Sequence, residues 1–283
     1  MAEKNLWGNW RFAADFSTSV LDSIHNEAMN DEAFEILGHD RPSRWLVTCD
    51  HASNRVPAAL SGGSLGISEC DMERHIAYDL GAAGLATALA ERLNCPAILS
   101  RYSRLVIDPN RGEGDPTLVM QIYDGTIIPA NRAISDAEVE RRLEQLYRPY
   151  HRALAAMAAR HPDTAIVAIH SFTPWLRGRP PRPWQVGVLY SLLDPRLSHP
   201  LIARLAADPA LCIGDNQPYA GTLPGDAIDR HALQPGRHNT LIELRHDLIA
   251  DAGAQAHWAD ILAPALEEAL ADAEMQAVPA ARS

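Results

Sequence analysis

The run AIVAIHSFTPW, residues 165–175, decides the fold class because it joins a buried strand to a polar end. Its first residues are apolar and rich in β-branched side chains, and a Pro-containing turn follows, which is typical of a central strand in a parallel sheet. In open α/β sheets, ligands bind outside the carboxyl ends of the strands. His170 therefore stands where a functional group is expected, although a hydrogen-bonded structural histidine is the simpler alternative.

The composition excludes some partners and leaves others open. The chain has 283 residues, 47% of them hydrophobic, and its net charge of −11 disfavours nucleic acid and anionic membranes as partners. No segment approaches the ~20 apolar residues that span a bilayer, and the first residues lack the pattern of a signal peptide. The four cysteines are scattered, so we expect reduced thiols and a cytoplasmic protein.

Apolar runs and amphipathic stretches alternate along most of the chain. The predicted strands are Arg44–Cys49, Ala97–Ser100, a run within residues 101–111, Ala165–His170, Gln185–Leu192 and Thr240–Leu244. The predicted helices are Ile67–Leu93, Ala137–Arg160, Pro200–Ala207 and Ala254–Ala271. This alternation predicts an α/β fold with a mostly parallel central sheet and helices on both faces. We expect a single domain over residues 41–275, preceded by an arm or cover over residues 1–40.

Two histidines at predicted strand ends are candidate metal ligands. His51 and His170 are imidazoles, which with one carboxylate form a common catalytic zinc site that keeps a position open for water. The carboxylate could come from Asp79, which shares a face of the predicted helix with His75 because the two are four residues apart. An ordinary helical His–Asp pair on a solvated face is the alternative.

Glu243 lies inside the otherwise apolar strand 240–244. Burial of a lone carboxylate costs several kcal/mol unless it is paired or protonated. An ion pair with Arg245, which follows closely, is one interpretation. The other is a general base whose pKa is raised toward neutrality, as hydrolysis requires.

Several arginines indicate a small anionic substrate, because guanidinium groups bind carboxylates through paired hydrogen bonds. Arg104 and Arg111 belong to the run RYSRLVIDPNR, residues 101–111. The arginines of the Pro-rich loop 176–184 are interpreted as surface or lid residues. Arg230 and His231 lie in a Gly- and Pro-flanked loop, where His231 either contacts substrate or is simply exposed. Surface positions are the alternative for each arginine.

A series of motifs in this chain resembles the N-formylglutamate amidohydrolase family, in particular its formylglutamate-deformylase-like branch. The motifs are DHASNRVP, HIAYDLGAAGLA, RYSRLVIDPNR, IPAN, PYH, AIHSFTP, RPWQVGVLY, GDNQPY and IELRHDLI, and they occur in this order. The resemblance extends from about residue 44 to 265. It implies an α/β fold similar to zinc-dependent exopeptidases and hydrolysis of the amide of an N-acylated acidic amino acid. The reaction that gives the family its name, N-formyl-L-glutamate to formate and L-glutamate, is a late step of histidine breakdown.

The resemblance also assigns roles to positions of this chain. It implies Glu243 as the catalytic residue and His51, Asp79 and His170 as ligands of one divalent metal ion, with His75 and Glu73 as alternatives at the helical position. The candidate substrate-binding residues are Arg104, Asn110, Arg111, Arg230, His231 and Arg245. The resulting hypothesis is a zinc-dependent amidohydrolase for a small anionic N-acyl amino acid. A deacylase or peptidase for another N-acyl amino acid, or a non-catalytic anion-binding protein, is the alternative.

Overall fold

A seven-stranded mixed sheet forms the centre of the described part of the chain, which is residues 33–277 without 61, 177 and 222 in this computed structural model. The strands are β1 (Phe34–Leu37), β2 (Trp45–Cys49), β3 (Ala97–Ser100), β4 (Ile122–Tyr123), β5 (Thr126–Ile127), β6 (Ala165–Phe172), β7 (Val186–Leu189), β8 (Ile213–Asp215) and β9 (Asn239–Arg245). The order in the sheet is β1-β3-β2-β6-β9-β7-β8, and β4 pairs with β5 in a separate hairpin.

The four central strands, β3, β2, β6 and β9, are parallel to one another, whereas β1 pairs antiparallel with β3 and β7 pairs antiparallel with β9. This confirms the predicted α/β class with a mostly parallel sheet. The central strands are buried along their length, which explains why they occur in the sequence as continuous apolar runs rather than alternating ones.

Helices cover the sheet. They are α1 (Glu69–Met72), α2 (Ala82–Arg92), α3 (Asp136–Arg142), α4 (Arg148–Ala158), α5 (Ser198–Leu205) and α6 (Ala252–Ala277). Residues of α2, α5 and α6 join one core with every second residue of β2 and β6, including Val47 and Val167. Because side chains alternate along a strand, the intervening residues face the other way. On that second face, Tyr150 of α4 reaches Asp50 beyond the end of β2.

The predicted helix Ile67–Leu93 is wrong as one continuous element. Turns occupy residues 73–81 between α1 and α2, and Gly81 has a φ of 77°, a conformation that favours glycine. A Cβ at this position would lie 2.3 Å from the carbonyl oxygen of Ile249. The prediction that His75 and Asp79 share a helix face is wrong for the same reason, since both lie in the turns.

The predicted strand within residues 101–111 is also wrong. This segment folds as turns, with Leu105 and Val106 buried in a second hydrophobic cluster. The backbone of this segment forms hydrogen bonds that do not belong to a sheet. The N–H of Asp108, for example, donates to the carbonyl of Leu118 at 2.8 Å. An apolar run followed by Pro109 is compatible with either structure, and tertiary contacts decide between them.

The other long elements agree with the sequence patterns. The predicted helix over 137–160 is present as α3, a π-helical turn (Leu143–Tyr147) and α4. The short strands β1 and β8 and the β4–β5 hairpin carry no clear pattern and were not predicted. Residues 1–32 lie outside the described part of the chain, so the domain boundary near residue 40 and the role of residues 1–40 as a cover remain predictions. None of the described helices has the length and apolar character needed to cross a membrane.

Gly187 of β7 provides a test of how the loop after β8 is held. A Cβ at Gly187 would lie 2.1 Å from the carbonyl oxygen of Gln217 and 3.4 Å from the Cβ of Glu243. We expect Gly187→Ala to lower the free energy of unfolding by about 1–3 kcal/mol, the usual cost of overpacking, as measured by urea denaturation. Gly114→Ala is the matched control, since nothing lies within 4 Å of a Cβ there. Equal stability of the two variants would contradict the packing described.

Candidate active site

His51, Asp79 and His170 come together at the carboxyl ends of β2 and β6. One potential ligand atom from each lies within 4.8 Å of the others, and the two imidazole ring centres are 4.9 Å apart. All three residues are buried. The neighbouring parallel strands bring the two histidines together, and the turns before α2 supply the carboxylate. The backbone N–H of Asp79 donates to the carbonyl of His51 at 2.9 Å, which fixes these turns against the end of β2.

The two imidazoles make matching contacts through their nitrogen atoms, although their ring planes are 76° apart. Nδ1 of each faces Oδ2 of Asp79, at 2.8 Å for His170 and 3.3 Å for His51. Nε2 of each faces a second carboxylate, which is Asp108 at 2.7 Å from His51 and Asp50 at 3.5 Å from His170. Both Nδ1 atoms are therefore directed at one point, with a carboxylate on the far side of each ring.

Asp50 and Asp108 are residues that the sequence analysis missed. Asp108 accepts from Arg104 at 3.0 Å and from the backbone N–H of Asn110 at 2.9 Å. Burial alone raises the pKa of Asp108, but the adjacent imidazole and Arg104 hold it well below its usual range. Asp50 is fully buried and accepts from the hydroxyl of Tyr150 at 2.5 Å. Each is an acid where an apolar run ends, in VTCD and LVID, and this signal could have identified them.

Asp79 is ionised in this arrangement. Burial alone raises the pKa of Asp79, but His51 and His170 lower it well below its ordinary value. Its carboxylate also lies 3.3 Å from the backbone N–H of Ser171 and 3.5 Å from a guanidinium nitrogen of Arg104. A buried anion held by several donors is available as a ligand at neutral pH.

Glu243 lies directly beside this group. It is the register partner of His170 in the parallel β6–β9 pair and of Gly187 in the antiparallel β9–β7 pair. Its Oε2 is buried without a hydrogen-bond partner. Burial raises the pKa of Glu243, His170 lowers it and Asp79 raises it again, and the net result is a pKa of about 8. The ion pair with Arg245 that the sequence allowed does not form, since Arg245 pairs instead with Asp247 at 2.8 Å.

A cavity of about 230 Å³ opens over the three candidate ligands and Glu243. Arg104, Asn110 and Arg111 line it, as expected for substrate-binding candidates, and His75 lines it as well. Arg104 is engaged with the buried carboxylates. Arg111 lies farther from Asp108, at 3.8 Å, and retains 21% side-chain exposure.

The structure does not bring the remaining candidates to this cavity. Arg230 and His231 line a second cavity, of about 590 Å³, in which His231 contacts His151 at 2.9 Å. Arg245 is bound to Asp247, and the exposed Glu73 accepts from Asn54 and Tyr78. The substrate-binding roles of Arg230, His231 and Arg245, and the alternative ligand role of Glu73, remain predictions. The sequence pattern does not indicate which way these side chains face: His231, for example, is buried in a π-helical turn, Asp229–Leu233, rather than exposed in a loop.

The sequence model of the N-formylglutamate amidohydrolase family matches residues 43–250. The chain belongs to this family. As an N-formylglutamate amidohydrolase family member it is a hydrolase of amide bonds, of the N-acylglutamate type, and the resemblance drawn from its motifs is confirmed. Among curated proteins, no sequence matches the chain.

Two solved structures are similar to this family member over most of its length. A gene product of Agrobacterium tumefaciens is 32% identical, with a TM-score of 0.81, and the match covers 86% of this chain and 97% of the other. The N-formylglutamate amidohydrolase of Ralstonia eutropha JMP134 is 20% identical, with a TM-score of 0.62, and the match covers 87% and 98% of the two chains. At 20% identity the likeness concerns the fold alone.

The residues of this site fit a divalent cation. Two imidazole nitrogens and a carboxylate are a donor set that catalytic zinc sites use, and a carboxylate behind each imidazole orients histidine ligands in such sites. The three buried carboxylates of Asp50, Asp79 and Asp108 also outnumber the two guanidinium groups of the described residues that contact them. Although burial lowers the pKa of His170, Asp50 and Asp79 raise it well above its usual value, which shows that positive charge is favoured here.

The buried hydrogen bond from Tyr150 to Asp50 can be tested by removing the hydroxyl. Tyr150→Phe leaves a buried carboxylate without its donor, so we expect the free energy of unfolding to fall by about 1.5–3 kcal/mol, the range for bonds to charged groups. Tyr190→Phe is the matched control because its partner, Asp215, is exposed and regains water; its expected cost is below about 1 kcal/mol. Equal losses in urea denaturation would contradict the burial argument.

Proposed function

We propose that this chain is a metal-dependent amidohydrolase that converts N-formyl-L-glutamate and water to formate and L-glutamate. The observation that carries the proposal is the buried Glu243, which is the register partner of His170, has a carboxylate oxygen without a hydrogen-bond partner and lines the same cavity as His51 and His170. A general base next to a two-imidazole, one-carboxylate ligand set is suited to hydrolysis of an unactivated amide. A cytoplasmic location, which rests on the scattered cysteines and the N-terminal sequence pattern, and a place in histidine breakdown, which rests on the family resemblance, belong to the same proposal.

His51, Asp79 and His170 would hold the metal, and zinc fits this donor set. A divalent cation bound there would supply Lewis acidity, which polarises an amide carbonyl and lowers the pKa of a water molecule. Asp108 lies 2.7 Å from Nε2 of His51 and would accept its proton, which leaves Nδ1 of that ring free to donate an electron pair. Asp50 lies 3.5 Å from Nε2 of His170 and makes no hydrogen bond to it, so it faces that ring as a nearby negative charge.

Glu243 is the group that moves protons. Its carboxylate takes a proton from the attacking water and then delivers one to the nitrogen that departs as L-glutamate. Because the residue is buried, with 7% exposure, its carboxylate is poorly solvated and more basic than an exposed one. The β6–β9 register fixes it next to His170, so this base does not depend on a mobile loop.

The cavity arginines would bind the carboxylates of the substrate. Arg104 forms ion pairs with Asp79 and Asp108. Its positive charge partly neutralises these two carboxylates, and the metal-binding residues together remain anionic. Arg111 donates from Nε to Thr117 at 3.1 Å and from one terminal nitrogen to the carbonyl of Asn110 at 2.7 Å. These bonds hold its guanidinium rigidly, which favours recognition of a carboxylate near the reacting amide.

The proposed reaction predicts a defined response to chelation and to loss of the base. We expect turnover of N-formyl-L-glutamate that disappears with a chelator and returns with Zn²⁺. Glu243→Gln, which keeps the shape and removes the base, should lower kcat by about 10²–10⁴-fold while the zinc content stays unchanged. Glu35→Gln, at the exposed position of edge strand β1, is the control for loss of a charge. Full activity of Glu243→Gln would contradict its assignment as the general base. Turnover confined to N-acetyl or peptide substrates would contradict the proposed N-formyl-L-glutamate substrate.

The carboxylate behind His51 predicts a separate effect on metal affinity. Asp108→Asn should weaken Zn²⁺ binding by about 10–100-fold, because such outer partners orient a histidine ligand. Competition with a chromophoric chelator measures the affinity without substrate. Asp163→Asn, which removes a surface partner of Arg44, should leave the affinity unchanged. An affinity of Asp108→Asn equal to that of the unmodified protein would show that this carboxylate does not support a metal ligand.

A further inference from the structure

Arg182 lies against the cavity but takes no part in the chemistry proposed above. Its guanidinium carbon is 5.6 Å from the ring centre of Phe172 and 5.1 Å from that of Tyr219. One terminal nitrogen donates to the carbonyl of Thr173 at 3.1 Å. Phe172, Thr173 and Tyr219 all line the cavity, so the guanidinium is held against three residues of its wall.

Among the residues that the structure describes, no carboxylate neutralises the charge of Arg182. No Asp or Glu among the described residues forms an ion pair with Arg182, whereas Arg104 is paired with two buried acids. Contact with aromatic rings occupies the faces of a guanidinium and leaves its N–H edge free for an anion. Arg182 is therefore a cation beside the cavity with charge available to a ligand.

Tyr219 packs its ring against this cation and lines the same cavity as Glu243. Burial raises the pKa of the Tyr219 hydroxyl, Glu243 raises it further, and Arg182 has the opposite effect. The hydroxyl is thus within electrostatic reach of both charged groups and remains a donor. A phenol and a guanidinium are together suited to binding a carboxylate.

The two side chains are carried by segments that are fixed in place. The Asn216 side chain accepts from the backbone N–H groups of Tyr190 and Gly221, at 2.9 and 3.1 Å, which holds the loop with Tyr219 against β7. The backbone N–H of Arg182 donates to the carbonyl oxygen of Pro174 at 2.7 Å. A pre-formed pair of donors binds an anion at lower entropic cost than a mobile one.

The positions of Arg111 and Arg182 in the cavity indicate which carboxylate of the substrate each arginine would bind. Arg111 lies 3.8 Å from Asp108, which itself contacts His51, so it stands close to the reacting amide. The α-carboxylate of an N-acyl amino acid is two bonds from the amide nitrogen and belongs there. Tyr219 retains 44% exposure and lies at the rim, where the end of a longer acidic side chain would reach.

We propose that Arg182 and Tyr219 form the subsite that binds the side-chain carboxylate, and so make the enzyme prefer N-acyl dicarboxylic amino acids over uncharged ones. This specificity assignment rests on the proposed function and deepens it. Arg182 and Tyr219 contact substrate here, whereas the reacting atoms lie at Glu243.

The test compares N-formyl-L-glutamate with N-formyl-L-glutamine, which has the same shape and no side-chain charge. Arg182→Gln should lower kcat/KM for the glutamate substrate by about 10–100-fold, mainly through KM, because a charge-assisted bond is lost. The value for the glutamine substrate should change by less than about 3-fold. Tyr219→Phe should give a smaller loss with the same selectivity. Arg179→Gln, at an exposed position of the same loop, should change neither substrate.

Two outcomes would overturn the assignment. Equal losses for both substrates in Arg182→Gln would mean that the residue only supports the loop, and no loss for either would mean that the charge is not used. If the unmodified protein hydrolyses neither substrate, the proposed function fails, and calorimetry with L-glutamate and L-glutamine tests the subsite alone. The subsite predicts tighter binding of L-glutamate and loss of that preference in Arg182→Gln. Equal affinities in the unmodified protein would exclude the subsite whatever its activity.

Discussion

One carboxylate oxygen of Asp79 organises the site, because the ends of two neighbouring strands meet at it. It lies 2.8 Å from Nδ1 of His170 and 3.3 Å from Nδ1 of His51. Asp79 reaches this position only because the chain leaves helical geometry after α1 and re-enters it at Gly81, whose φ of 77° favours glycine. Loss of regular helix over residues 73–81 is thus a condition for bringing two imidazoles and a carboxylate together.

The sequence predicted the core of the fold and the convergence of His51, His170 and Glu243. Buried parallel strands must be apolar throughout, so a polar residue at or near the end of such a run is conspicuous. Parallel order then places these ends side by side, and the register makes His170 and Glu243 direct neighbours. The break in the helix before Gly81 was not predictable from local periodicity, which does not encode the close packing of Gly81 against Ile249, a residue distant in the sequence.

The missed and displaced residues have a common physical origin in non-local contacts. Asp108 reaches His51 from a segment that folds as turns against a second cluster, whereas its sequence equally suits a strand. Arg230 and His231 lie in a π-helical turn, Asp229–Leu233, that faces a different cavity, whereas the Gly- and Pro-flanked sequence around them indicates a loop. Charge illustrates the same point, since a chain of net charge −11 still places Arg104 and Arg111 in one cavity.

X-ray diffraction from crystals of the zinc-loaded protein, with anomalous data collected at the zinc edge, tests the central claim most directly. A single strong peak in contact with Nδ1 of His51, Nδ1 of His170 and the carboxylate of Asp79, with Glu243 adjacent but not bound, is the predicted result. Coordination through Nε2 of either ring, a peak at another place, or no peak at this position would contradict the account of how these side chains are oriented and why.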